Sequence, residues 1–174
     1  MKLLLPFILK IMFVSAFAHA IDPKCDDHGK VYKVCQDQKL AFEEALAKAT
    51  ADKKTLLVLA GAEWCPWCIS LDRMLTDPDF GQGFMRKNFS LRSIALFQGK
   101  EKIPGGQSVI EKIKKMAKFE KKIEGIPILA ALNPVNGKAV LIDTEPLEKN
   151  VGSVKGHDPE KVLLALKKAQ KALN

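Results

Sequence analysis

The sequence predicts an α/β domain, and three observations carry that prediction. A continuous apolar run, Thr55-Leu56-Leu57-Val58-Leu59-Ala60, leads into a helical segment opened by Pro66. A second run, 89–97, alternates with the period of a strand. Two later apolar runs, 126–132 and 139–142, are joined by the turn residues Asn133-Pro134-Val135-Asn136-Gly137. The first two make a strand-helix-strand unit and the third a hairpin. At 174 residues, 47% hydrophobic and 28% charged, the chain suffices for one sizeable core.

Residues 1–20 combine a basic start, an apolar stretch and the small-x-small pattern Ala18-His19-Ala20, which reads as a secretory signal peptide cleaved after Ala20. Lys10 interrupts the apolar stretch, which counts against an uncleaved membrane anchor. Cys25 follows Asp22-Pro23-Lys24 and so lacks a lipid-attachment context, and the ending Lys171-Ala172-Leu173-Asn174 is no retention signal. An exported, soluble protein in an oxidising compartment is expected, with all four cysteines kept. Its net charge of +8 would fall by two with the loss of Lys2 and Lys10. The remaining lysines, among them Lys112, Lys114, Lys115, Lys118, Lys121 and Lys122, read as a solvated helix face. Without interleaved aromatics or a binding motif they do not point to nucleic acid.

Residues 21–36 form an irregular arm carrying Cys25, His28 and Cys35, and 37–174 form the domain. From Asp37 to Asp52, Leu40, Ala41, Ala45, Leu46 and Ala49 recur with helical spacing. After the strand at 55–60 a helix should run from Pro66 to about Thr76, where Asp77-Pro78-Asp79 stops it and caps a short helix around Phe80 to Lys87. Lys100 to Gln107 reads as a loop. The next helix carries Val109, Ile110, Ile113, Met116, Ala117 and Ile123 and ends at Gly125. In the last helix Asp158 is the cap, Pro159 the first residue, and Val162, Leu163, Leu166, Ala169 and Leu173 the apolar stripe.

The chemistry concentrates in Trp64-Cys65-Pro66-Trp67-Cys68. Two cysteines three positions apart at a helix start can close a disulfide where backbone N–H groups and the helix dipole favour a thiolate, the attacking species in disulfide exchange. Pro66 and Trp67 bring neither positive charge nor a histidine donor, so the thiolate has little help beyond the helix terminus. That favours a reducing potential, nearer thioredoxin at about −270 mV than the oxidant DsbA at about −120 mV.

Ala62-Glu63-Trp64-Cys65-x-x-Cys68 after a strand, Gly125-Ile126-Pro127 opening a later strand, and the turn Asn133 to Lys138 together resemble the thioredoxin superfamily, over roughly Lys39 to the C-terminus. The resemblance implies a central mixed β-sheet flanked by helices, with Cys65 the exposed nucleophile and Cys68 the resolving cysteine. Pro127 matches the family's cis proline, which faces the redox pair. Trp64 and Trp67 would offer apolar surface to a client and Ile126 and Pro127 backbone, while core packing is the other reading of each tryptophan. The nearest subgroup is the exported Dsb-type proteins, those called DsbH. It implies a periplasmic thiol-disulfide oxidoreductase that needs no cofactor, acts on disulfide-bonded clients and draws electrons from a membrane donor of the DsbD or CcdA type. One departure stands out: many thioredoxins carry a buried aspartate where this chain has Leu59. Glu63, read as a surface residue, is the nearby acid.

Cys25 and Cys35 read as a structural disulfide pinning the arm, since a loop of this length is worth roughly 3 kcal/mol in the chain-entropy model. A relay to Cys65 and Cys68, or a zinc or copper site with His28, are the alternatives. For the whole protein the rivals to a reductase are a disulfide-forming oxidase, a copper-handling or cofactor-assembly protein, and a module that holds clients without turnover. The scarcity of histidines and the presence of both redox cysteines count against the last two.

Overall fold

The structure, a computed structural model, describes residues 26–150 and 152–174. The expected signal peptide and Cys25 therefore lie outside the described residues. Among the described residues five α-helices and six strands follow in the order α1 Gln38–Ala51, β1 Thr55–Gly61, α2 Pro66–Thr76, α3 Phe84–Asn88, β2 Phe89–Ala95, β3 Phe97–Gln98, β4 Glu101–Lys102, α4 Pro104–Ala117, β5 Ile128–Leu132, β6 Ala139–Ile142 and α5 Pro159–Leu173.

The main sheet has the order β2-β1-β5-β6, with β1 parallel to β2 and antiparallel to β5, and β5 antiparallel to β6. It is a mixed sheet flanked by helices, as expected. β1 is central and buried on both faces, which is why its sequence is continuously apolar. Leu56, Val58 and Ala60 face Phe42 of α1 and Ile110 and Ile113 of α4, whereas Leu57 and Leu59 face Leu71 of α2 and Val162 and Leu166 of α5.

Local rules place several boundaries. Asp37 caps α1 by accepting N–H bonds from Lys39 and Leu40, and Asp158 caps α5 by accepting from Glu160 and Lys161. The short helix after Asp79 splits into a 3-10 turn at Phe80–Gly83 and α3.

Other expectations are corrected. Phe42, not Leu40, anchors α1: Phe42 is fully buried and Leu40 exposed. The segment 100–107 is no plain loop, because β3 and β4 form a small hairpin and α4 begins at Pro104. Proline is at home in a helix's first turn, and Gly106 within that turn packs directly on the Ala95 carbonyl, where any Cβ would collide. The same helix stops at Ala117, eight residues before Gly125. Lys118 adopts a left-handed conformation, and the Phe119 N–H bonds the Lys114 carbonyl, closing the end. Ile123 thus lies outside the helix, though it still packs against the same core. Among the described residues no helix is long and apolar enough to cross a membrane.

Candidate active site

The end of β1 delivers Cys65 to the N-cap of α2. Pro66 is the first helical residue, and the Cys68 N–H donates to Cys65 Sγ at 3.2 Å, so the sulfur takes the place of a capping oxygen. Cys65 and Cys68 form a disulfide with Cα atoms 5.2 Å apart. The Cys65 Sγ also lies 3.9 Å from the Ile126 carbonyl oxygen, and the Ile126-Pro127 peptide is cis, as the resemblance implied. Expected to be exposed, Cys65 is only 3% exposed, with Cys68 fully buried behind it. The Ile126 backbone packed against its sulfur accounts for that cover, and the cap geometry keeps Cys65 the outer of the two.

Trp64 is 57% exposed, with its ring 6.0 Å from that of Phe97. It borders a surface groove of about 690 Å³ together with Glu63, Pro66, Arg73, Val154 and Lys155. Pro127 borders a different groove, of about 330 Å³, with Ile123, Gly125 and Leu141. The structure therefore brings Ile126 to the redox pair but sets Trp64 and Pro127 on separate concavities. Trp67 is half-buried: His157 meets its ring edge-on at 5.6 Å, and the Lys155 ammonium lies 5.1 Å above the same ring. The Pro66-Trp67 insert is itself uncharged, yet Trp67 gathers a histidine and a lysine from the approach to α5. Burial lowers the His157 pKa, which favours the neutral imidazole.

Three further residues shape the site, and sequence reasoning passed over two of them, Tyr32 and Asp72. Tyr32, in the arm, is fully buried in the same core cluster as the redox pair. Glu63 is exposed, as expected, but its carboxylate accepts the backbone N–H groups of Val31 and Tyr32, each at 3.1 Å, and so ties the arm beside the pair. Asp72 stands one turn beyond Cys68 on α2 and accepts a bond from the Ser93 hydroxyl at 3.1 Å. Burial raises its pKa, opposed by the Ser93 bond and assisted by the Glu63 charge. Its i,i+4 spacing from Cys68 was the available sequence signal. Leu59, at the position of the missing acid, is fully buried in the same cluster. Cys35 has no free thiol, while Cys25, its expected partner, lies outside the described residues.

The arrangement is one that exchanges disulfides: a cysteine pair at a helix N-terminus, its outer sulfur held by a backbone N–H and faced by a cis-proline loop. A family model described as thioredoxin-like matches residues 37–134. The chain belongs to the thioredoxin-like family. Among solved structures, this thioredoxin-like chain is similar to a disulphide isomerase from Xylella fastidiosa Temecula1, at 23% identity and a TM-score of 0.46, covering 70% of this chain and 79% of that one. It is also similar to a DsbH oxidoreductase, at 19% identity and a TM-score of 0.49, covering 75% of this chain and 81% of the other. No curated protein matches it. The family match starts at residue 37, so the arm with Tyr32 precedes the matched span.

Proposed function

We propose that this thioredoxin-like protein is an exported, periplasmic thiol-disulfide oxidoreductase of the DsbH kind that reduces protein disulfides. The observation that carries the reading is the Cys65-Cys68 disulfide at the start of α2, with Cys65 Sγ accepting the Cys68 N–H and facing Ile126. In the reduced enzyme the Cys65 thiolate attacks a client disulfide and forms a mixed disulfide. The Cys68 thiolate then displaces the client sulfur, which leaves as a thiolate, and the Cys65-Cys68 bond re-forms. The client gains two electrons, and the enzyme must receive two more from a donor, for which a membrane conduit of the DsbD or CcdA type is the expected class.

The reducing direction is supported by the modest help given to the thiolate. The insert is uncharged and burial favours neutral His157, which leaves one backbone N–H and the helix terminus as the main stabilising groups. Insulin reduction driven by dithiothreitol tests the activity. Catalysed precipitation of the insulin B chain, lost in Cys65→Ala, is the expected result. No acceleration over dithiothreitol alone would overturn the proposal.

A further inference from the structure

Tyr32 is the only tyrosine of the chain and is fully buried, yet among the described residues its hydroxyl has no hydrogen-bond partner. Buried hydroxyls are rarely left so in folded proteins. Its position supplies a reason. A Cβ added to Gly61 would lie 2.7 Å from Cys68 Sγ and 2.8 Å from Tyr32 Oη, so the hydroxyl and the sulfur border the same small gap at the end of β1. In the disulfide, Cys68 Sγ is bonded to Cys65 and accepts hydrogen bonds weakly. Once freed as a thiolate it is a strong, charged acceptor.

We propose that the Tyr32 hydroxyl is the hydrogen-bond donor to the Cys68 thiolate in the reduced and mixed-disulfide states, and that it sets the ionisation of the resolving cysteine. The inference rests on the thiol-disulfide reading above. In the resolving step the Cys68 thiol gives its proton to water, and the thiolate, held by Tyr32 O–H, attacks the Cys65 sulfur of the mixed disulfide. The Cys65-Cys68 bond forms, the bond from Cys65 to the client sulfur breaks, and the client thiolate departs with the electron pair and takes a proton from water. Tyr32 keeps its own proton throughout.

The surroundings suit a donor. Burial first, then the charges of Asp72 and Glu63, raise the Tyr32 pKa and keep the phenol protonated. Glu63 also fixes the backbone that presents the ring. The β1 side chains on this face, Leu57 and Leu59, offer no titratable group. His157 and Lys155 contact the Trp67 ring from the approach to α5.

The test is stopped-flow reaction of the reduced protein with dithiobis-nitrobenzoate, in which Cys65 releases one thionitrobenzoate and Cys68 the second. In Tyr32→Phe the pH midpoint of the second phase should rise by about one unit, the scale of losing one bond to a charged group. At neutral pH that phase should slow by roughly threefold or more, since the thiolate fraction falls faster than nucleophilicity rises. The first phase should stay unchanged. A second-phase midpoint that does not move, or two phases that shift together, would overturn the assignment. Wild-type protein that releases a single equivalent would instead overturn the dithiol reading beneath it. A measurement on the wild type needs no substitution: with isotope-labelled tyrosine the single Tyr32 ring resonance of the reduced protein should titrate with Cys68, and a resonance flat across that titration would equally overturn the inference.

Discussion

Gln38 is the residue whose replacement most directly probes how the arm is held to the sheet. It is buried at the first turn of α1, and its side chain spends both ends. The amide nitrogen donates to the Lys33 and Gln36 carbonyls at 2.7 and 2.8 Å, and the amide oxygen accepts the Ala95 N–H at 2.9 Å. Gln38→Met keeps the length and removes all three bonds. Lys33 and Gln36 are exposed, so water can satisfy their carbonyls, and each loss costs the modest net value of an ordinary hydrogen bond. Ala95 is buried, so its N–H is left without a partner at the full desolvation cost. Together these amount to about 2–6 kcal/mol, about half of it from Ala95. Urea unfolding followed by far-ultraviolet dichroism measures the loss, and amide hydrogen exchange should show Ala95 losing protection. A loss below about 1 kcal/mol, with the Ala95 amide still protected, would refute the reasoning.

Other predictions concern the cysteines and the buried titratable groups. Cys68→Ala should accumulate mixed disulfides with clients, seen as adducts on non-reducing gels, whereas Cys65→Ala should accumulate none. Asp72 has a raised folded pKa, so the stability it contributes is full below the unfolded carboxylate value of about 3.9 and is lost as pH rises through the folded value. Asp72→Asn, which can still accept from Ser93, should therefore gain urea resistance over the wild type at pH 7 relative to pH 3. An equal difference at both pH values would contradict this. His157 has a depressed folded pKa, so its contribution is present above the unfolded value of about 6.5 and is lost as pH falls through the folded value. His157→Phe, which keeps an edge against Trp67, should remove that part of the acid destabilisation below about pH 6.5. Unfolding midpoints that fall in parallel for variant and wild type would count against it.

What the sequence disclosed and what it hid divide along physical lines. The redox pair and the cap Asp158 follow from residue chemistry within a few positions, so spacing alone reveals them, whereas Pro127 was legible only through the family resemblance. Tyr32, Gln38 and Asp72 matter through partners far along the chain: Gln38 reaches Ala95, Asp72 reaches Ser93, and Tyr32 reaches the gap over Gly61. No local pattern marks such contacts. The start of α4 was hidden for a related reason, since Gly105-Gly106 reads as a loop until Gly106 is seen against the Ala95 carbonyl. The cover over Cys65 likewise depends on the Ile126 backbone, which spacing does not locate.

The central claim is that Cys65 and Cys68 form a reducing dithiol, and the most direct test is their redox equilibrium. Equilibration with defined ratios of reduced and oxidised glutathione or dithiothreitol, quenched by acid and read by alkylation mass, gives the potential. A value close to about −270 mV is predicted, and one close to about −120 mV would contradict the reducing assignment.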